Sequence, residues 1–385
     1  MKENPKERKR IKNSITKVAQ IGHKRIPSRE GGVEIVVEEI SVRLVKRGYL
    51  VDAYNRSGYH VSGKEFDTKR NKIYKGIRIL TIPTFQNGKL NAIVYSVLAT
   101  IRALFGNYDI YHFHAEGPCI MLWLPKLFGK KVVATIHGLD WQRSKWGNFA
   151  SKVLKKGERE AVKHADYIIV LSQNIKQYFL EEYGRETWFI PNGVNMPQLV
   201  PVKEIQAKWG LEKDEYILFL ARIVPEKGVH YLLQAFLQIQ TDKKLVIAGG
   251  SSHTSEYVKE VMEMAQGDDR IIFTHFVQGR QLEELFSNAY LFVLPSDVEG
   301  MAISLLEAMS YGNCCLISDI PENVEAAGEH ARTFLHGQVE DLKKQLEYLL
   351  ENPECVAAYR AESQKFICEK YNWDDVVEQT IKLYE

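Results

Sequence analysis

Short apolar runs alternate with amphipathic segments along most of this chain. Apolar residues recur every three or four positions from Val33 to Leu44, and Gly48 follows them. This spacing predicts an amphipathic helix that ends at a glycine. The runs are rich in valine, isoleucine and leucine, which favours buried strands. In the first half of the chain we predict strands at residues 18–21, 50–54, 77–82, 110–114, 132–136, 167–171 and 188–190.

A second series of strands follows a stretch at 191–201 that contains three prolines and resembles a hinge. Its strands are predicted at residues 216–221, 245–248, 271–276, 291–294 and 315–317. Strand–helix alternation is typical of parallel sheets covered by helices. We therefore expect the α/β class, with two doubly wound, Rossmann-like domains facing each other across a cleft. Such sheets bind ligands at the carboxyl ends of their strands.

The 385 residues suffice for two domains that each bury a core. We expect a basic, flexible tail at 1–16, a first domain at 17–195 and a second domain at 196–369. A last helix within 370–385 is expected to pack back onto the first domain. The longest apolar segment, residues 90–105, contains Arg102 and is too short for a membrane span, which favours a buried helix.

Two glutamates stand out in the segment 297–307, which reads D-V-E-G-M-A-I-S-L-L-E. The segment follows a predicted buried strand, and a helix is predicted from 301 to 311 with Gly312 as its end. Glu299 then lies on a loop, and Glu307 lies inside the helix. The first amides of a helix have no intrahelical partner and suit an anion. A sugar, a phosphate and further hydroxyls could be held here, with candidate amides at Met301, Ala302 and Ile303.

Composition excludes several classes of protein. Hydrophobic residues make up 45% and charged residues 26% of the chain, as in globular proteins. The N-terminus is polar and basic, and no apolar signal-peptide core follows it. Five cysteines without any C-x-x-C spacing are expected to be reduced, in a cytoplasmic protein with no metal site.

Charge is distributed unevenly between the two halves. Residues 1–195 hold 34 Lys+Arg and 18 Asp+Glu, a net +16; the remainder holds 17 and 31, a net −14, which returns the total of +2. A basic first half suggests an anionic partner. Membrane phospholipid, a lipid diphosphate and nucleic acid all fit, and so does attraction between the two domains.

Two loops carry groups suited to phosphate. Gly31 and Gly32 open the first predicted helix and would let a phosphate or sugar approach the backbone, although glycine there can also be purely conformational. The spacing is not G-x-G-x-x-G, so a dinucleotide cofactor is not supported. Arg222 and Lys227 flank the loop after the first strand of the second domain. Two cations there can neutralise a leaving diphosphate.

Histidines end two neighbouring strands of the first domain. His137, in T-I-H-G, lies where a ligand in the cleft would lie, and Gly138 allows close approach. His114 and Glu116, in H-F-H-A-E-G, could line an acceptor pocket or could serve the structure alone.

The segment 141–163 mixes seven basic residues with Trp141, Trp146 and Phe149. Such mixing suits an anionic membrane surface, and a solvated helix face explains it equally well. Single-stranded nucleic acid also binds such mixtures, but no nucleic-acid motif accompanies this one. We therefore expect no nucleic-acid partner.

Taken in order, these motifs resemble the bacterial retaining glycosyltransferases of family 4, which have the GT-B fold. The resemblance runs from about residue 18 to the last helix. It is carried by G-G-V-E at 31–34, T-I-H-G-L-D at 135–140, P-N-G-V at 191–194, the loop with Arg222 and Lys227, A-G-G at 248–250 and E-x7-E at 299–307.

The resemblance implies a role for each matched residue. Arg222 and Lys227 would hold the donor diphosphate, and Glu307 would bind the ribose. Glu299, His137 and the amides of 301–303 would contact the donor sugar. Gly31 and Gly32 would close on the phosphate, and the base would lie near Phe276 and Gly279. The acceptor-side candidates are His114, Glu116, Asp140 and Arg25.

The family transfers sugars with retention, by front-face attack in which the leaving phosphate takes the acceptor proton. This sequence has no D-x-D motif, which agrees with a reaction without metal or cofactor. The stretches R-I-P-S-R-E-G-G-V-E and H-G-L-D-W-Q-R-S-K-W-G resemble the subgroup that builds capsular or exopolysaccharide. That likeness implies a polyprenyl-diphosphate-linked glycan acceptor and a peripheral position at the inner face of the membrane.

Two other readings stay open. A sugar-nucleotide 2-epimerase can share the fold, and turnover of the donor without any acceptor would favour it. A non-catalytic nucleotide-sugar-binding protein can share it too, although the intact set Arg222, Lys227, Glu299 and Glu307 argues against decay of the site. Among donors, we expect UDP-sugars first and GDP-mannose second.

Overall fold

The first domain is built on one sheet of eight strands. The computed structural model describes residues 15–57, 72–84, 88–142, 148–250 and 255–385. The sheet order is β3-β4-β2-β1-β5-β6-β7-β8; β3 and β4 pair antiparallel and the other neighbours pair parallel. The strands are β1 Lys17–Ile21, β2 Leu50–Arg56, β3 Ile73–Tyr74, β4 Ile77–Ile82, β5 Ile110–His114, β6 Lys131–Ile136, β7 Tyr167–Val170 and β8 Trp188–Phe189.

The second domain is built on a parallel sheet of six strands, in the order β11-β10-β9-β12-β13-β14. In each domain the chain adds strands outward on one side and then returns to add them on the other. Both sheets are therefore doubly wound, which confirms the predicted fold class. The strands are β9 Tyr216–Leu220, β10 Lys244–Ala248, β11 Ile271–His275, β12 Leu291–Leu294, β13 Cys315–Ser318 and β14 Arg332–Phe334.

Helices cover both faces of each sheet. In the first domain they are α1 Gly32–Lys46, α2 Gly88–Leu104, α3 Trp123–Leu127, α4 Asn148–His164 and α5 Gln173–Tyr183. The remaining helices are α6 Glu204–Trp209, α7 Val229–Phe236, α8 Ser255–Met264, α9 Arg280–Asn288, α10 Ile303–Ser310, α11 Pro321–Ala327, α12 Val339–Glu351, α13 Pro353–Lys370 and α14 Trp373–Tyr384.

Strand β9 shows why its sequence is apolar at every position. Ile217 and Phe219 belong to the core on one face of the sheet, whereas Tyr216 and Leu218 belong to the core on the other. Side chains alternate across a strand, so a sheet covered on both faces requires continuous apolar runs.

The last helix, α14, lies against the first domain. Arg47, the C-cap of α1, contacts Asp374 at 3.1 Å, and the Tyr384 hydroxyl lies 2.6 Å from His112 Nδ1 in strand β5. The chain crosses between the domains at two adjacent places, where the Val194 amide donates to the Tyr371 carbonyl at 2.8 Å.

Helix α2 differs from the expected buried helix, because only one of its faces is covered. Tyr95 and Ala99 are fully buried, whereas Leu98 and Ile101 are 40% and 42% exposed and the following Phe105 is 86% exposed. The apolar segment therefore leaves an uncovered hydrophobic stripe at the surface.

Candidate active site

The candidate residues converge where the carboxyl ends of the two sheets face each other. His137 follows β6 in the first domain, and Glu299 and Gly300 follow β12 in the second. A Cβ atom on Gly300 would overlap the carbonyl oxygen of His137. The two domains are thus in backbone contact at this point, and only glycine permits the approach.

Lys227 and Glu299 form an ion pair at the centre of the second-domain face. Glu299 Oε1 also accepts a hydrogen bond of 2.7 Å from Ser296 Oγ, and its side chain is almost completely buried. Gly228 brings the two loops together, since its φ of 67° is left-handed and a Cβ there would overlap the Pro295 carbonyl oxygen. The structure therefore brings together two residues that are 72 positions apart in the sequence.

Arg222, in the loop after β9, faces a lysine of the first domain. Burial lowers the pKa of Lys24, the Glu34 carboxylate opposes that shift, and the positive charge of Arg222 lowers the pKa further. Lys24 lies in the loop after β1, and sequence analysis missed it. Lys24 and Arg222 are thus near enough to interact electrostatically, and Lys227 lies at the far end of the second-domain loop that contains Arg222.

Gly31 and Gly32 open α1, but a carboxylate of the same helix already lies beside them. A Cβ on Gly31 would be 2.5 Å from Glu34 Oε2, and the other oxygen of that carboxylate accepts the Lys24 amide at 2.8 Å. A phosphate at this helix end would therefore share the position with Glu34. Gly32 packs against the second domain, where the nearest atom to its Cβ position is Ile303 Cδ1 at 3.6 Å.

Glu307, on α10, is ion-paired with Arg29 of the first domain. The Glu307 carboxylate is the main reason that the pKa of Arg29 is raised. Arg29 lies in the loop before α1, in the stretch R-I-P-S-R, and no local pattern there indicates a partner 278 positions away. The carboxylate expected to hold a ribose is therefore in contact with a guanidinium.

Helix α10 begins at Ile303, two residues later than predicted. Ala302 is its N-cap, and no side chain caps it. Asn192, in the hinge segment, holds Met301 in place, since its side-chain amide donates a hydrogen bond of 3.2 Å to the Met301 carbonyl. The three candidate amides thus lie at the junction of loop and helix, beside Glu299.

A cavity of about 190 Å³ lies beside the Arg29–Glu307 pair, between the domains. Phe276 and Gln278 line it from the second domain, and Arg25, Arg29 and Tyr74 line it from the first. Arg25, expected on the acceptor side, therefore shares a cavity with Phe276, the residue expected near the base. Gly279, next to this wall, precedes α9 with a φ of 58°.

A chain of buried histidines leads to His137. His137 Nε2 lies 3.1 Å from His114 Nδ1, and His114 Nε2 lies 2.7 Å from the Gln20 side-chain oxygen. The His112 ring stacks on that of His114 with centroids 4.2 Å apart. Burial lowers the pKa of His112 to about 3 and holds the pKa of His114 well below its usual range.

The remaining acceptor-side candidates have different environments. Glu116 is fully buried, and its backbone packs closely on α4, where a Cβ on Gly157 would overlap the Glu116 carbonyl oxygen. Asp140 is half-buried in a short turn after His137, and its amide donates to the Gly138 carbonyl at 3.0 Å.

The basic and aromatic segment 141–163 separates into two parts. Lys155 and the Trp141 indole both bind the buried carboxylate of Glu158, at 2.9 and 3.0 Å, and so belong to the interior. The exposed basic residues form one stripe of α4, at Lys152, Lys156, Arg159 and Lys163. Arg143, Lys145 and Trp146, and the side chain of Phe149, lie outside the described residues.

Across the residues that the structure describes, we find no group of histidine, cysteine or carboxylate side chains able to hold a metal ion. The helices in the same part of the chain are all too short or too polar to cross a membrane. The five cysteines, which all lie within the described ranges, are free of disulfides.

Each half of the chain matches a family model of known proteins. Residues 30–197 match the family model described as Glycosyltransferase Family 4, and residues 201–366 match the model Glycosyl transferases group 1. The chain is a glycosyltransferase, and its first domain belongs to family 4. The domain junction between the two matches falls within the proline-containing hinge.

Individual relatives of this glycosyltransferase cover most of its length. An alpha-maltose-1-phosphate synthase of Mycolicibacterium smegmatis is 26% identical over 67% of this chain and 73% of its own. The GDP-mannose-dependent alpha-(1-6)-phosphatidylinositol monomannoside mannosyltransferase of the same organism is 24% identical over 90% and 93%. Among solved structures, Anabaena HepE in complex with UDP and glucose superposes with a TM-score of 0.78 at 16% identity, over 96% of this chain and 98% of its own. These likenesses establish the GT-B fold.

Proposed function

We propose that this glycosyltransferase moves a sugar from a nucleotide diphosphate sugar to a glycan acceptor, with retention of configuration. The observation that carries the proposal is the buried pair Lys227–Glu299, with Arg222 of the same domain facing Lys24 of the first, at the carboxyl ends of two doubly wound sheets. A diphosphate is the anion that this arrangement suits. HepE, which shares the fold, binds UDP and glucose, and this supports a UDP-sugar as the first choice of donor; GDP-mannose is the second.

In this mechanism the lysines and Arg222 stabilise the negative charge that grows on the diphosphate as its bond to the sugar breaks. The leaving phosphate oxygen takes the proton of the acceptor hydroxyl, which attacks from the same face of the sugar. Glu299 orients Lys227 and meets the donor sugar together with His137. Because the protein's cations supply the charge, we propose that neither a metal nor a cofactor takes part.

We propose that Glu307 exchanges Arg29 for ribose hydroxyls when the donor binds. Its ion pair is partly exposed, so exchanging the guanidinium for a ribose costs about 1 kcal/mol or less. The cavity beside the pair, lined by Phe276 and Gln278, is the space that we propose for the base.

We propose that the acceptor is lipid-linked, as in capsular, exopolysaccharide or O-antigen assembly, and that the enzyme is peripheral at the cytoplasmic face of the membrane. The uncovered stripe formed by Leu98 and Ile101 on α2 and by Phe105 just after it supports this. Helix α2 packs against α3, where Leu127 is 73% exposed, and α3 packs against α4 with its basic stripe. Apolar residues flanked by basic ones suit an anionic membrane surface.

A panel of nucleotide sugars tests the donor proposal by thermal shift, since a bound donor raises the unfolding temperature. We expect stabilisation by UDP-sugars and release of UDP once a lipid-linked acceptor is added. Donor turnover without any acceptor would favour the epimerase, and the absence of stabilisation by every nucleotide sugar would contradict the donor site.

Vesicle co-sedimentation tests the membrane proposal. We expect binding to phosphatidylglycerol vesicles that falls with salt and is lost in the double variant Ile101→Ser, Phe105→Ser. Leu335→Ser, at an exposed position of the second domain, is the matched control. Binding that is unchanged in the double variant would contradict this docking surface.

A further inference from the structure

The hydrogen bond between His114 and His137 has a defined donor and a defined acceptor. The Gln20 side-chain oxygen, 2.7 Å from His114 Nε2, can only accept a hydrogen bond. The proton of His114 therefore lies on Nε2. In a neutral imidazole the other nitrogen is then an acceptor, so His114 Nδ1 accepts and His137 Nε2 donates across the 3.1 Å between them.

We propose that His114 is a positioning residue, which fixes His137 as the Nε2–H tautomer, in which Nδ1 is the hydrogen-bond acceptor. The consequence rests on the proposed function: a hydroxyl of the donor sugar donates to His137 Nδ1. His114 itself does not meet the substrate, because its side chain is fully buried and both of its nitrogens are engaged inside the protein.

The protein holds His114 in the one state that performs this role. A protonated His114 would present two donors and could not accept from His137. Burial keeps the pKa of His114 well below its usual range, and the neighbouring His112 and His137 lower it further, so the ring stays neutral at the pH of the cell.

The orientation of His114 is fixed as well as its protonation. Its ring stacks on His112 at an interplanar angle of 29°. His112 is held from both sides, by Thr135 Oγ1 at 2.7 Å and by the Tyr384 hydroxyl at 2.6 Å. The ring of His114 thus lies between a fixed aromatic neighbour and Gln20, which limits its rotation.

The direct test is the tautomer of His137, read by long-range ¹H–¹⁵N spectra of protein labelled with ¹⁵N-histidine. The variant His137→Asn identifies the signals by their disappearance. We expect Nε2–H in the wild-type protein without any substrate. An Nδ1–H tautomer, or protons on both nitrogens at neutral pH, would overturn the proposal.

Two substitutions of His114 then distinguish a role in positioning His137 from a role in packing alone. Asn in place of His114 can keep an acceptor near the position of Nδ1, whereas Leu removes it. We expect His114→Leu to lose the Nε2–H tautomer and to lower kcat about tenfold or more with a smaller change in the KM for donor, because a misplaced group acts mainly on the transition state. His114→Asn should restore the tautomer and much of kcat.

Failure of this proposal is distinguishable from failure of the proposed function, because the tautomer is read without turnover. If His114→Leu does not fold, the wild-type spectra and His114→Asn still decide the question. An unchanged His137 tautomer in folded His114→Leu would assign His114 to packing alone.

Discussion

The two domains bring different polar groups to the cleft. The second-domain face is charged, with Arg222 and the buried pair Lys227–Glu299. The first domain adds Lys24 in the loop after β1, but its strands β5 and β6 carry a row of imidazoles, of which His112 and His114 are held neutral by burial. Charge is therefore concentrated where a diphosphate would lie, and the neutral histidines lie behind His137, the residue expected to meet the sugar. In the proposed mechanism this division would let one cleft stabilise a leaving group without binding a second anion in place of the sugar.

The variant expected to have the largest effect is Lys227→Ala. If Lys227 stabilises the leaving diphosphate, the variant should lose about 3 kcal/mol of transition-state stabilisation. The value of kcat/KM for donor should then fall more than a hundredfold. Steady-state transfer assays measure this. Lys259→Ala, at an exposed lysine of α8, is the control. Near-normal turnover would show that Lys227 does not stabilise the leaving diphosphate.

The contact between the faces is tested next, by Gly300→Ala. The added methyl group would overlap the His137 carbonyl and force the loops apart by a fraction of an ångström or more. We expect kcat/KM to fall about tenfold or more, because small misplacements are costly in catalysis. Gly117→Ala is the control, since its Cβ would meet only Leu154 Cδ2, at 3.7 Å. Equal activity of the two variants would show that the closed contact is not required.

Acid titration tests whether the buried histidines of the first domain are neutral. The pKa of His23 is lowered to about 4 and that of His112 to about 3, in both cases chiefly by burial. The unfolded chain therefore binds more protons below about pH 6.5, and stability falls as pH falls from there towards the folded values. Each histidine contributes about 1.4 kcal/mol per pH unit in that window.

Urea unfolding at several pH values between 7 and 5 measures this slope. We expect His112→Gln to reduce it by about one proton relative to the wild-type protein. An identical slope in the variant would mean that His112 is not neutral in the folded state.

The smallest effect expected is that of Arg29→Ala. Removing the guanidinium frees Glu307, so UDP should bind about two- to fivefold more tightly, as expected for the loss of a partly exposed ion pair. Isothermal titration calorimetry measures the dissociation constant. Arg47→Ala, which removes a similar pair with Asp374 away from the cleft, is the control. Weaker binding of UDP would instead make Arg29 a ligand of the nucleotide.

Sequence periodicity predicted the sheets well, because strands covered on both faces must be apolar throughout, as β9 is. It missed β3 and β14, which have two and three residues and too few positions to show a period. It placed α2 wholly in the interior because composition does not tell which neighbour covers a helix. The exposed faces of Leu98 and Ile101 depend on tertiary packing alone.

For the site, motifs located the residues of each loop but not their partners. The pairing of Arg29 with Glu307 and the approach of Gly300 to His137 join the two domains, and nothing local in the chain encodes them. Lys24 was overlooked because only its electrostatic interaction with Arg222, which depends on the fold, distinguishes it from other basic residues of the first half. A histidine two residues from another, as in H-F-H, could have indicated the stacked pair, since alternate residues of a strand share a face.

The docking of α14 has a consequence for engineering. The end of the polypeptide belongs to the first domain, and the Tyr384 hydroxyl buttresses the ring that stacks on His114. A chimera that exchanges donor-binding halves between related enzymes therefore needs two junctions, one near Val194 and one near Tyr371. A single junction at the hinge would import a foreign last helix beneath the histidine row and so alter the half that was meant to be kept.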